Sequence, residues 1–383
     1  MSLPRLPLTR DTIGTVGRGH PWVYREGVRG SAPVGDAVLL VDERGKTVAW
    51  GLFERGPIAV RVLGREVIDV PALLRRRLGH AAERRRLLGG DTDGYRLCNG
   101  EGDALGGLVV DRYGGFLVVR LYSAAWEPHA AAIIDALRAL PWVRGIYRRF
   151  GVERVDGREG GEVWWGESPP DAVVVQEHGM KLLARLYTGQ KTGLFLDQRE
   201  HRRLVRGWAA GRSVLNLFSY NGGFSVAAAL GGASRVVSVD AAPEAIADAR
   251  ENFRLNGLDP DAHGFEVADV FAWDGPGADF VVCDPPSLAH DRDADTNARR
   301  AYRDLHRRVG PLARALLATS SCTARLSWER WEEAVREGLK GNESAPPSIS
   351  PWARLHRGAE PLDHPVLLAH PEGLYLKFLL LGR

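Results

Sequence analysis

The chain has 383 residues, too long for one ordinary core, so two or three domains are expected. Apolar residues at 44%, charged residues at 26% and a net charge of +3 exclude an unfolded polyelectrolyte. No apolar run reaches the roughly 20 residues of a membrane helix, the opening MSLPRLPLTRDTIG has no secretory h-region, and three cysteines without C-x-x-C spacing exclude a disulfide scaffold or cysteine metal site, which fits a reducing cytoplasm.

Residues 1 to about 66 read as short strands and turns. AVLLVDERGKTVAWGLFE places two apolar runs around DERGK, a hairpin pattern, and IAVRVLG follows as a further strand. This predicts a compact, barrel-like β module. Residues 71–88 read as a helix with leucines at 73, 74, 78, 87 and 88. The stretch 73–88 holds six arginines against one glutamate, and YRRFGVER and RRAYRDLHRRV are basic too. Such clusters suit a polyanion such as nucleic acid, or a solvated helix face with acidic neighbours.

From about 91 a strand, a Gly114-Gly115 turn and a second strand precede the helix PHAAAIIDALRAL, and strand-like sequence continues to about 188. This predicts a central α+β segment. ESAPPSISPW is the clear proline- and serine-rich loop near the end.

The third region alternates strand and helix: SVLNLFS, GFSVAAALGG, RVVSVD, APEAIADARENFRLNG, ADFVVCDPP. Continuous apolar strands separated by helices mean a mainly parallel sheet covered on both faces. Ligands of such sheets sit beyond the carboxyl ends of the strands. The first such end, NLFSYNGGFS (216–225), carries Gly222 and Gly223, which permit a sharp turn and close backbone approach before a helix N-terminus. The second is Asp240, positioned either to hold a ribose diol or to cap the next helix. The third is Asp269, suited to an adenine amino group or to an ordinary turn. A glycine turn without a phosphate loop points to S-adenosylmethionine rather than NAD or ATP.

CDPPS puts Asp284 at the tip of a strand that two prolines stop, with Cys283 turned into the core. In base amino-group methylases an aromatic usually follows D-P-P; Ser287 stands here. Methylating carbon 5 of a pyrimidine instead needs a thiolate that adds to carbon 6. Cys322 in LLATSSCTAR follows an apolar strand in the right order for that role. Ser320, Ser321, Thr323 and Arg325 are its candidate activators, and Asp284 is placed to hold the base at its N3/N4 edge. A structural thiol is the alternative for Cys322.

These motifs together resemble the PUA-domain family of large-subunit ribosomal RNA methyltransferases that make 5-methylcytosine. GHPWVYREGV, KTGLFLDQREHR, VLNLFSYNGGFS, VVSVD, CDPPS, SSCT and DHPVLLAHPEGLYLK occur in the family's order over nearly the whole chain. Asn221 replaces a usual threonine, and SSCT replaces a phenylalanine-serine-cysteine-serine run. The Gly-Gly turn expected before that strand is missing. The resemblance implies a PUA-like RNA-binding domain at 1–68, a basic helix and central α+β domain at 69–180, and a Rossmann-like methyltransferase domain at 181–383. It implies catalysis by Cys322 and Asp284, and a cofactor set of Gln198, Asn216, Phe218, Ser219, Asn221, Gly222, Gly223, Asp240, Ala241, Asn256, Asp269, Val270, Asp284 and Pro285. No metal is expected. The expected partner is ribosomal RNA, from the 23S molecule, with no membrane, and the chain is a monomer or homodimer in the cytoplasm. Arg199 and Arg202 are candidate phosphate contacts, whereas His364 and Lys377 read as structural. Alternatives are a methyltransferase acting on another base or a small molecule, and an RNA-binding ribosome assembly factor without catalysis.

Overall fold

The structure, a computed structural model, describes residues 3–152, 155, 157, 159–288, 294–340 and 352–383. The predicted loop at 343–352 lies outside these residues apart from Trp352, as do Glu153 and Arg154 of the second basic stretch. The chain forms two compact units that alternate along the sequence. One comprises Met1–Val175, Ala184–Leu196 and Leu362–Gly373; the other comprises Gln176–Leu183, Asp197–Pro361 and Leu374–Arg383.

In the first unit, β1 (Arg5–Pro7), β2 (Trp22–Tyr24), β3 (Ala37–Val41), β4 (Thr47–Phe53) and β5 (Ile58–Gly64) form a sheet ordered β1-β3-β4-β5-β2, with α1 (Arg10–Gly17) beside it. The predicted β3–β4 hairpin is present, and Asp42 shapes its turn by accepting the backbone N–H groups of Arg44 (3.0 Å) and Lys46 (2.8 Å). Helix α2 (Val70–Arg85) begins at Asp69, whose carboxylate accepts the Ala72 N–H at 3.3 Å. Leu73, Leu74 and Leu78 form its buried face. A second sheet, β10-β9-β8-β7-β6, is built from β6 (Gly94–Asn99), β7 (Leu108–Tyr113), β8 (Phe116–Leu121), β9 (Gly145–Arg149) and β10 (Gly161–Gly166), with α3 (Ala130–Arg138) between β8 and β9 in the chain. The late segment 362–373 is tied to this unit by polar bonds. Asp363 accepts the Arg96 N–H at 2.9 Å, and Asn99 donates to the Pro365 carbonyl at 3.0 Å.

The arginine-rich stretches divide. Arg85 is buried and binds both oxygens of Asp103 at 2.7 Å, Arg77 donates to two carbonyls, and Arg148 pairs with Glu127. In the third basic stretch Arg299 pairs with Glu337 at 2.6 Å and Arg303 with Asp304 at 2.9 Å. These residues are held by carboxylates and carbonyls of the fold, which fits the second of the two readings of the basic stretches, a face with acidic neighbours. Arg75 and Arg76 are exposed and in no ion pair among the described residues.

The hairpin β11 (Val173–Glu177) and β12 (Met180–Ala184) stands where the chain passes between units. The second unit then contains α4 (Arg199–Trp208), β13 (Ser213–Leu217), α5 (Gly223–Leu230), β14 (Arg235–Asp240), α6 (Pro243–Leu255), β15 (Gly264–Val267), β16 (Ala278–Cys283), α7 (Ala294–Val309), β17 (Ala313–Ser321), α8 (Trp328–Leu339), β18 (Ala353–Gly358) and β19 (Lys377–Gly382). The sheet order is β15-β14-β13-β16-β17-β19-β18. Strands β13 to β17 are parallel, and β19 runs antiparallel to both β17 and β18. Buried runs such as Phe280–Cys283 and Leu316–Ala318 are what a doubly covered sheet requires. From β13 the chain steps outward to β15, then returns to β16 on the other side of β13. The crevice at this reversal, outside the carboxyl ends of β13 and β16, is where such a sheet receives a ligand. Among the described residues no helix is long and apolar enough to cross a membrane.

Two buried histidines in this unit set an acid limit on stability. Burial holds His201 down to about 3 and His306 down to about 4. The unfolded chain therefore takes up protons below about pH 6.5 that the folded chain refuses. The stability contribution is complete above that pH and is lost as pH falls toward the folded values. Between pH 6.5 and 4 each histidine is expected to remove up to about 1.4 kcal/mol per pH unit, read as a falling urea midpoint. His306→Gln should flatten that limb; an unchanged limb would locate the acid sensitivity elsewhere.

Candidate active site

Three strand ends build one rim of the crevice. After β13 the chain turns through Phe218, Tyr220 and Gly222, all at positive φ (57°, 48° and 75°), into α5. At Gly222 the turn admits only glycine, because a Cβ there would lie 2.8 Å from the Ala249 Cβ. Asp240, at the end of β14, stabilises this turn. Its Oδ2 accepts the Tyr220 N–H at 2.7 Å and its Oδ1 accepts the Ala242 N–H at 3.0 Å. A carboxylate has about four lone-pair sites, so about two remain, enough for a vicinal diol. The cap of α6 is Ala242, so Asp240 braces the turn rather than capping the helix. Ala241 is exposed beside it.

Ser219 Oγ and Asn216 Oδ1 are buried and have no hydrogen-bond partner among the described residues. Asn216 Nδ2 donates to Ser225 Oγ at 2.9 Å, and Ser238 Oγ donates to the same oxygen at 2.7 Å, so the turn rests on a polar network. Unsatisfied buried oxygens at a strand's carboxyl end mark a place built for a polar ligand. Gly223 begins α5, whose first N–H groups suit a carboxylate. Phe218 meets Phe271 edge to face at 5.6 Å. Phe271 is 46% exposed, and its N–H is held by Asp269 Oδ1 at 2.9 Å. Phe271 was not a candidate in the sequence. An aromatic two residues after a strand-end acid is the signal that would have found it. The fit to S-adenosylmethionine is therefore good: an acid for the ribose, a ring pair with Asp269 for the adenine, and Ser219 with the α5 terminus for the amino-acid moiety.

Other expected cofactor residues have different tasks. Asn256 caps the C-terminus of α6, about two turns beyond Ala249, the residue that Gly222 packs against. Its Oδ1 accepts the Lys181 N–H at 2.9 Å, and its Nδ2 donates to the Lys181 and Asn252 carbonyls, both at 2.7 Å. The Asn256 side chain thus clamps β12. Asn221 likewise turns its Nδ2 to the Leu183 carbonyl at 2.9 Å and braces the loop. The Val270 side chain lies in the core, leaving only its backbone for a ligand.

The reactive corner lies at the ends of β16 and β17. Cys283 is fully buried, and Asp284 follows it before the buried Pro285. Asp284 Oδ1 accepts Gln198 Nε2 at 3.0 Å and the Ser320 hydroxyl. Gln198 is 2% exposed; its Oε1 accepts the Nδ1–H of His201 at 2.6 Å. Burial keeps His201 neutral, and its ring stacks on Phe378 at 4.1 Å. This chain of bonds fixes the Asp284 carboxylate. His201 was not anticipated, although it stands three residues after Gln198 on the same helical turn.

Cys322 directly follows β17 and is half-buried, whereas Cys98 and Cys283 are fully buried with their thiols pushed up by burial. The Ser321 hydroxyl donates to Tyr302 Oη at 2.9 Å. Burial is the main cause pushing the Tyr302 phenol up, and charge on Cys322 and on Asp284 adds to it. The single hydroxyl hydrogens of Ser320 and Ser321 go to Asp284 and Tyr302, which corrects their expected role as activators of Cys322. Arg199 is buried, and Arg202 is buried against Glu177 at 2.7 Å, so neither is a phosphate contact. His364 is buried beside Asp363 in the first unit.

Comparisons with known proteins agree with this geometry. Residues 96–337 match the family described as S-adenosylmethionine-dependent methyltransferase, and residues 8–65 match the PUA-like domain. The chain is 40% identical to a ribosomal RNA large subunit methyltransferase of Deinococcus radiodurans, covering 99% of this chain and 98% of that one. It is 37% identical to ribosomal RNA large subunit methyltransferase I of Escherichia coli, covering 97% and 98%. A crystal structure of a methyltransferase complexed with SAH superposes with a TM-score of 0.86 at 24% identity, covering 100% of both chains. A SAM-dependent methyltransferase from Streptococcus mutans gives 0.84 at 24% identity, again over 100% of both; these two show the fold. The chain thus belongs to the S-adenosylmethionine-dependent methyltransferase family that carries an N-terminal PUA-like domain and includes these ribosomal RNA large subunit methyltransferases.

Proposed function

We propose that this protein methylates carbon 5 of a cytosine in large-subunit ribosomal RNA, with Cys322 as nucleophile and Asp284 holding the base. The observation that carries this reading is the half-buried thiol directly after β17, the strand paired in parallel with β16, whose end carries Asp284. The names of the relatives supply the RNA class, and the PUA-like match with exposed Arg75 and Arg76 supports it.

S-adenosylmethionine, when bound, supplies an electrophilic methyl group on a sulfonium. The protein's task is to make carbon 5 nucleophilic. The Cys322 thiolate forms a bond to carbon 6 as the C5=C6 bond opens, and the electron pair moves toward carbon 5. Asp284 accepts hydrogen bonds from the N3/N4 edge as that edge takes up a proton, which stabilises the adduct. Once carbon 5 carries its methyl group, water takes the carbon 5 proton, the freed electron pair restores the C5=C6 bond and expels the sulfur as thiolate, and the N3/N4 edge gives back its added proton. Gln198, Ser320 and His201 keep Asp284 aimed throughout. Asp240, Asp269, Phe218, Phe271 and Ser219 hold the cofactor in this reading.

The test is mass mapping of 5-methylcytosine in large-subunit ribosomal RNA from cells with and without the gene. One site should lose its methyl group in the deletion and regain it on complementation. An identical map in both strains would rule out the proposal.

A further inference from the structure

Lys377 opens β19 and pairs with Ser321, the residue before Cys322. Only 3% of it is exposed. Its Nζ donates to the carbonyl of Thr323, the residue after Cys322, at 2.6 Å and to the Tyr375 carbonyl at 3.3 Å. No carboxylate lies at ion-pair distance from it among the described residues. An ammonium has three donors, and a buried one needs an anion or full hydrogen bonding to offset its desolvation. Two carbonyls meet part of that need. The Lys377 backbone pairs with the residue before Cys322 and its ammonium bonds the residue after it, so the cation is anchored at the nucleophile's strand end, and a charge on Cys322 favours the protonated lysine.

We propose that Lys377 is a positioning residue whose buried ammonium holds Cys322 as the thiolate; this rests on the reading of Cys322 as the nucleophile. The cation supplies a positive field that Ser320 and Ser321, whose hydroxyl hydrogens go to Asp284 and Tyr302, do not. Glu360, from the segment before β19, and Glu329, from α8, both favour the protonated lysine, as does the thiolate itself. Glu360 is occupied with the backbone N–H groups of Tyr375 (2.6 Å) and Leu376 (2.8 Å), so it fixes the start of β19 rather than pairing with Nζ. Against the thiolate stands the like charge of Asp284, and Tyr302 stays a neutral phenol. Burial lowers Lys377 to about 8, so it is still mostly charged at neutral pH. The thiolate–ammonium pair is thus the favoured arrangement where the enzyme works.

The test is the rate of iodoacetamide alkylation at Cys322 in the full chain, read by peptide mass spectrometry from pH 5.5 to 9.5. In the wild type the midpoint should fall below the ordinary thiol value of about 8.5. In Lys377→Met the midpoint should rise and alkylation at pH 7 should slow about tenfold, with Lys377→Arg restoring much of the loss. A wild-type midpoint at or above about 8.5 overturns the inference without recourse to any variant. So does a Lys377→Met profile that matches the wild type. A shifted midpoint supports the pair even if Cys322→Ala still methylated carbon 5. An unshifted one overturns it even if Cys322→Ala were inactive. The two readings therefore fail separately.

Discussion

Cys322→Ala is expected to lower carbon-5 methylation by on the order of 10⁴-fold or more, while S-adenosylmethionine binding measured by calorimetry stays within about twofold of wild type. The size follows from the chemistry. Carbon 5 of cytosine is too weak a nucleophile to attack a methyl group unless carbon 6 first receives an electron pair. Neither of two other candidates among the described residues supplies one: Cys283 is sealed in the core, and Tyr302 is a buried, neutral phenol. Cys322→Ser should be nearly as inactive, because an alcohol ionises far less readily than a thiol. RNA carrying 5-fluorocytosine provides a second readout. Fluorine at carbon 5 cannot leave as a proton does, so the carbon 6–sulfur bond persists and wild-type protein becomes cross-linked to the RNA. Cys322→Ala should form no cross-link. If it retained more than about a tenth of wild-type methylation, the acceptor would be an amine or oxygen and the thiol would be structural.

Much of this arrangement was visible in the sequence because it depends on local pattern. Alternating apolar strands and helices required a doubly covered parallel sheet, and such a sheet places its chemistry at the carboxyl ends of its strands. Gly222 was legible as a turn that excludes a side chain, and Pro285 and Pro286 marked the strand tip carrying Asp284. What escaped depends on partners distant in the chain. An asparagine at a helix terminus reads equally as a cap or a ligand, and only the β12 backbone decides that Asn256 is a clamp. An arginine-rich helix does not reveal which guanidinium meets a carboxylate 18 residues later, as Arg85 meets Asp103. Lys377 lies in the strand pattern LYLKFLL, where a charged residue normally faces water. It is buried because both faces of β19 are covered, every residue from Lys377 to Gly382 being buried. Gln198 looked like an unremarkable polar residue until His201 and Asp284 were found on either side of its amide.

Asp284→Asn is expected to reduce methylation by about 10²–10³-fold with folding intact. Asparagine has the shape of aspartate, so the prolines and the strand end remain as they are. Its amide oxygen can still accept from Gln198 Nε2 and Ser320 Oγ, the two donors now on Oδ1. Its second terminal atom changes from acceptor to donor, and the charge disappears. A donor facing the N3/N4 edge repels the amino group of cytosine, and the adduct loses the anion that balances the proton gained on that edge. The 5-fluorocytosine cross-link should therefore form more slowly, while alkylation of Cys322 by iodoacetamide should be preserved or enhanced, since a like charge beside the thiolate has been removed. Slower cross-linking with undiminished alkylation identifies Asp284 as a group acting on the base. If both rates fell together, the carboxylate would be supporting the thiol or the strand end, and its assignment to the base would have to be abandoned.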